Sequence, residues 1–219
     1  MLARLTFIAA LAVAPMAMAQ DAPAPAGAEQ IAEARARADR LIADGGATGI
    51  FVNSTKDDGL ARVTHVPSGM TCTFDGGPED RLYIFPQGAS GIPRGEDVGC
   101  ISRDNALEID MTLYATRYRP LPAEADVLAG ARQAITARWP DATPYTGGLP
   151  AMAMEGRSPT QMAAYKVRIE GTEMLTMALV THRDGWGFKA RATGPYADAA
   201  GVALFAGVLL ESALLDRED

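Results

Sequence analysis

The sequence predicts an α+β protein, an antiparallel sheet packed by helices and stapled by one disulfide. Three observations carry that expectation. From Ala106 to Thr116, Leu107, Ile109, Met111, Leu113 and Ala115 alternate with Glu108, Asp110, Thr112, Tyr114 and Thr116, the period of two that a half-buried strand requires. Gln161–Ile169, Met174–Thr181 and Trp186–Thr193 are strand-like runs joined by Glu170-Gly171 and Asp184-Gly185, so they read as an antiparallel meander. Ala123–Trp139 and Tyr196–Leu215 instead place their apolar residues on helical stripes, Val127, Leu128, Ala131 and Ile135 in the first and Val202, Phe205, Val208 and Leu209 in the second.

Taken in order, the chain opens with Arg4, an apolar run from Leu5 to Val13, Pro15 and the small-x-small tripeptide Ala17-Met18-Ala19. This is the grammar of a cleaved secretory signal over residues 1–19. The run is shorter than the roughly 20 residues of a membrane span, and no cysteine follows the cleavage site to take a lipid. A periplasmic or secreted protein without stable membrane insertion is expected. Loss of Arg4 with the signal leaves 19 basic and 27 acidic residues, a balance that argues against a nucleic-acid partner.

Residues 20–28, rich in Ala and Pro, read as a disordered spacer. Residues 29–46 read as a helix that is Ala-rich, carries a thin apolar face of Ile31, Leu41 and Ile42, and stops at Gly45-Gly46. It either packs on the domain edge or engages a partner. Residues 47–219 are expected to form a single α+β domain. Within it, Gly49–Asn53 and Leu60–Val66 flank a charged Asp-Gly turn, a hairpin signal, and Arg81–Phe85 is a further short strand. Pro86–Gly95 is a long loop, either a flexible cover or a binding loop. The terminal helix is apolar enough to be buried on the sheet, and its Asp198 and Glu211 argue against a membrane span.

Two cysteines in an exported chain predict a disulfide between Cys72 and Cys100. Each sits in an alternating context, Met70-Cys72-Phe74 and Val98-Cys100, that turns its side chain inward. The spacing is unlike the Cys-x-x-Cys of redox catalysts, so a structural staple is expected.

The order of elements resembles the Mog1/PsbP-like fold, and the string Pro67-Ser-Gly-Met-Thr-Cys72 is similar to one in uncharacterised exported bacterial proteins. The resemblance supplies no catalytic motif. It implies a non-enzymatic accessory or binding role.

Candidate chemistry is sparse. His65 and His182 are the only histidines, and neither stands in a metal-ligand spacing. Ser68 lacks the Gly-x-Ser-x-Gly turn of a hydrolase nucleophile and reads as a turn-shaping residue. Glu108 and Asp110 would share one strand face, which is more simply a solvated face. No phosphate-cradling glycine loop is present, and no cofactor is expected. One constellation survives. Lys166 and Arg168 on one strand, and Lys189 and Arg191 two strands away, are expected on a common face with the apolar Met174–Thr181 strand between them. Such a floor could hold an anionic amphiphilic small ligand or an envelope protein's acidic segment, unless acids neutralise the rows or a helix covers the floor.

Two functions follow. One is an exported non-enzymatic binding or accessory protein of the cell envelope. The alternative is a small exported hydrolase or metal-assisted enzyme that needs His65, His182 and nearby acids to converge.

Overall fold

A computed structural model describes residues 25–86, 91–151 and 159–215. The expected signal, most of the spacer and residues 87–90 of the long loop lie outside these. Helix α1 spans Ala28–Asp44 and is followed by strands β1 (Phe51–Asn53), β2 (Ala61–His65), β3 (Thr71–Phe74), β4 (Arg81–Ile84), β5 (Asp97–Asp104) and β6 (Ile109–Thr116). Helix α2 (Glu124–Arg138) precedes β7 (Thr143–Pro144), β8 (Gln161–Ile169), β9 (Thr172–Arg183) and β10 (Trp186–Pro195), and helix α3 (Ala199–Leu215) ends the described chain. All strand pairings between these elements are antiparallel. They form a small sheet, β1-β2-β3, and a seven-stranded sheet in the order β4-β5-β6-β10-β9-β8-β7.

The meander forms as its turns dictate. Glu170 and Gly171 have φ of 49° and 86°, and Asp184 and Gly185 have 51° and 77°. Two consecutive left-handed residues give the turn whose twist matches paired strands. The strand expected from Ala106 is shorter at its start, because β6 begins at Ile109. Asp104 Oδ1 accepts the Leu107 N–H at 2.8 Å, and Glu108 adopts φ 54°. The Asp104-Asn105 pair thus closes a hairpin, and Glu108 does not share a strand face with Asp110.

Pairing fixes which side chains share a face of the large sheet, since alternate residues point opposite ways. On one face, Met111 and Leu113 of β6, Phe188 and Ala190 of β10, and Met177 and Leu179 of β9 are buried under α3 and the small sheet. On the other, Ala163 of β8 and Ala178 and Val180 of β9 are covered by Leu128, Ala131 and Ile135 of α2. Every residue of β9 from Leu175 to Val180 is buried, because it alone lies beneath both helices. Helix α3, with its preceding turn, is long and apolar enough by composition to cross a membrane. It instead packs Val202, Ala206, Leu210 and Leu214 into the core. Helix α1 packs Ala34 and Ala38 on the domain edge.

Cys72 of β3 and Cys100 of β5 form a disulfide that joins the small sheet to the large one through the core. It closes a 28-residue separation, a length at which the chain-entropy model assigns about 3–4 kcal/mol of stabilisation.

Candidate functional site

The two histidines do not converge. His65 closes β2 and is buried between the rings of Phe51 and Trp186, at centroid distances of 5.1 and 5.3 Å. Its Nδ1 meets Ser68 Oγ at 2.7 Å and its Nε2 meets the Gly95 carbonyl at 2.8 Å. That carbonyl can only accept, so Nε2 carries the proton and Nδ1 accepts the serine O–H. Burial pushes the His65 pKa down to about 4, against a small upward pull from Gly95. The Ser–His pair is therefore a neutral, satisfied knot. Ser68 also accepts the Met70 N–H at 3.2 Å and shapes the turn between β2 and β3.

His182 pairs with Gly187 across β9 and β10. The alternation turns it to the face opposite the one on which Trp186 meets His65. Its backbone N–H donates to Glu124 Oε1 at 2.7 Å, and its ring Nε2 is buried without a hydrogen-bond partner among the described residues. Burial lowers its pKa, with Glu124 opposing. Gly187 is required there, because a Cβ would stand 2.6 Å from the Tyr118 ring that lies across it. Among the described residues, no group of three His, Cys, Asp or Glu side chains could hold a metal. With the histidines on opposite sides of the sheet, the hydrolase or metal-assisted arrangement is not formed.

The four cations expected together are also divided, and this corrects the common-face expectation. Lys166 pairs with Leu175 and, through β9, Leu175 pairs with Gly194. Lys189 pairs with Val180, which pairs with Gln161. Residues 161 and 166 point to opposite faces, so the pair on β8 and the pair on β10 do too. The presumed floor, β9, is buried under both helices.

The two pairs have different surroundings. Lys166 Nζ lies 2.6 Å from Glu173 Oε1 and 4.9 Å from the centre of the Tyr196 ring. Arg168 reaches the same carboxylate at 3.6 Å. The two cations of this pair share one carboxylate. On β10, Lys189 Nζ sits 4.3 Å from the centre of the Tyr114 ring, a cation–π contact. Its pKa is pushed down to about 8, chiefly by burial and then by Arg191, while Asp97 pulls it up. Asp97 accepts the Thr116 hydroxyl at 2.8 Å, and burial raises its own pKa.

Arg191 stands in a cleft of about 310 Å³ between the open face of β4, β5, β6 and β10 and the overhanging C-terminal end of α2. Ile101, Thr112 and Tyr114 line the sheet side, and Ile135 and Trp139 line the helix side. The Arg191 Nε is buried and has no hydrogen-bond partner among the described residues. The two carboxylates of the cleft are taken by other arginines: Asp110 by Arg103 at 2.8 Å and Glu79 by Arg81 at 3.3 Å. A buried guanidinium N–H without an acceptor costs free energy. The cleft is thus a concave site with an uncompensated positive centre and an apolar rim, able to bind but holding no nucleophile–base pair. The sequence indicated Lys189 and Arg191. It gave no reason to join Trp139, Tyr114 and Ile101 to them, because these meet only through cross-strand pairing and the docking of α2.

No protein-family model matches the sequence, and no curated protein is significantly similar to it. Among solved structures, the chain is similar to the cyanobacterial PsbP (CyanoP) of Synechocystis sp. PCC 6803, with a TM-score of 0.46 and 14% identity over 70% of this chain and 90% of that one. It is also similar to a protein of unknown function from Pseudomonas aeruginosa, with a TM-score of 0.33 and 14% identity over 58% and 78% of the two chains. LpqN, involved in cell envelope biogenesis of Mycobacterium tuberculosis, has a TM-score of 0.32 and 15% identity over 64% and 85%.

Proposed function

We propose that the protein is an exported, non-enzymatic binding module of the cell envelope, and that the cleft under the end of α2 holds a small anionic ligand against Arg191. The observation that carries this reading is the buried, unpartnered Arg191 Nε in a cleft whose own carboxylates are committed elsewhere. An anion there would supply the missing acceptor, and Lys189 would add long-range attraction. Export is supported by the signal-like residues 1–19 and by the buried Cys72–Cys100 disulfide, a bond that persists in oxidising compartments. The histidines lend nothing to a hydrolytic or metal-assisted alternative, since one is buried and satisfied and the other faces the opposite side of the sheet.

Native mass spectrometry of the protein purified from the periplasm tests the reading. The expected result is an extra mass on the native protein that Arg191→Met loses and Arg168→Met keeps. Retention of that mass by Arg191→Met would contradict it.

A further inference from the structure

The charges and shape of the cleft restrict its ligand further. Three arginines, Arg81, Arg138 and Arg191, line it together with Glu79 and Asp110. Arg81 is paired with Glu79, and Asp110 with Arg103. Arg138 is exposed at the rim with its guanidinium carbon 4.6 Å from the centre of the Trp139 ring. Among the described residues, one interior cation, Arg191, is left to meet a ligand. A guanidinium offers its Nε and one Nη as parallel donors to two oxygens of one acid group. Carboxylates and phosphates both satisfy that geometry, so charge separates them. Glu79 and Asp110 offset two of the three arginines of the lining and leave one net positive charge, which matches a head carrying a single negative charge.

The body of the ligand is limited in the same way. A volume of about 310 Å³ stands at the small end of ligand clefts and leaves no room for a two-chain lipid. The Tyr114 ring, the Trp139 indole, Ile101 and Ile135 line the cleft together with Arg191, and flat or branched apolar groups of this kind suit a flat apolar partner. Thr112, Thr176 and Thr193 supply hydroxyls to the floor. Thr176 and Thr193 are 3.0 Å apart and bonded to each other, so they make weaker demands on the ligand than Arg191 does.

We infer that the cleft is a site for a small monocarboxylate with a flat apolar body, an arylcarboxylate, its acid group on Arg191 and its ring between Trp139 and the sheet. This rests on the anion-binding reading above and names the class of ligand.

The mature, disulfide-bonded protein would be titrated at neutral pH and constant ionic strength with 2-naphthoate, 2-naphthyl phosphate, 2-naphthamide and inorganic phosphate. Heat would be read by calorimetry, and the two indole N–H resonances by NMR. Saturable binding of 2-naphthoate is expected, at least about tenfold tighter than that of the naphthyl phosphate dianion, with the Trp139 indole shifted and the Trp186 indole still. Arg191→Met should weaken 2-naphthoate about tenfold or more, and Arg168→Met on the far face should change it less than about twofold. Arg191→Lys keeps the charge without the planar fork and should fall between them. Tighter, Arg191-dependent binding of the phosphate ester, or of inorganic phosphate alone, would overturn the carboxylate class and leave the anion site standing. Equal binding of the uncharged amide would overturn the role of charge. If none of the probes binds in an Arg191-dependent way, both the class and the anion site fall.

Discussion

Lys166-Val-Arg168 and Lys189-Ala-Arg191 are the same local pattern on two strands of one sheet, yet the fold treats them oppositely. The first pair shares Glu173 and stands partly exposed on β8, the strand next to the edge strand β7. The second stands inside the sheet, between β6 and β9, where burial depresses the Lys189 pKa and Arg191 has a buried N–H without an acceptor. Two cations spaced i, i+2 say only that they share a face. Whether they end as a surface pair with an acid partner or a buried site without one depends on what the register places across from them.

The largest expected effect strikes the frame that holds both pairs. Replacing Cys72 and Cys100 together with alanine removes the bond between the two sheets and should cost about 3–4 kcal/mol of stability, read as a fall in the urea midpoint. The variant that still folds should keep the contrast between the pairs, because that contrast is set by the pairing of β6, β10, β9 and β8.

Next comes the contrast between satisfied and unsatisfied buried polar groups. His65 has both ring nitrogens bonded and a folded pKa of about 4, below its ordinary 6.5. The unfolded chain therefore binds a proton first as the solution is acidified. The histidine's contribution is complete above about pH 6.5 and is lost as pH falls toward 4, to about 3 kcal/mol. A flat stability profile across that window would contradict the neutral knot. His65→Gln should flatten the slope, leaving the part that His182, also lowered by burial, contributes, while lowering stability throughout.

Smaller and opposite in sign are the effects at the two lysines. Lys189 is depressed in the fold, so its charged form is a burden that stability sheds as pH rises from about 8 toward the unfolded value near 10.5. Lys189→Met should then stabilise the protein at neutral pH by about 1 kcal/mol, a figure reduced for its partial exposure and for the lost Tyr114 contact. Lys166→Met should instead lower stability slightly, since it leaves Glu173 with Arg168 alone. The same sign in both variants would erase the contrast.

The sequence revealed the architecture where a local signal was strong. Alternation marked β6 and β10, acid–glycine turns marked the meander, apolar stripes marked α2 and α3, and two inward cysteines marked the staple. It failed at Asp104-Asn105, where a side-chain-to-backbone bond turned residues 105–108 out of the strand. It failed more consequentially on the faces. The apolar residues of β8 and β10 each lie opposite their cations, but the apolar sides are buried by different helices. Tyr165 and Val167 lie on the α2 side of the sheet, whereas Phe188 and Ala190 lie on the α3 side. A sheet covered by a helix on each face offers two ways to bury an alternating strand, and alternation alone does not choose between them. The cleft was hidden for a related reason. Arg191 could be named from its strand, but Trp139 reaches it only through the docking of α2.

The most direct test of the account is the titration of Lys189, followed by NMR of the side-chain amines in protein with and without saturating 2-naphthoate. The account predicts a resonance titrating near 8 that moves upward when the carboxylate occupies Arg191 and supplies the missing negative charge, while the Lys166 resonance does not respond to the ligand. A Lys189 that ignores a bound carboxylate would contradict an uncompensated positive centre in the cleft, and one that already titrates at its ordinary value near 10.5 would contradict the burial of Lys189 beside Arg191.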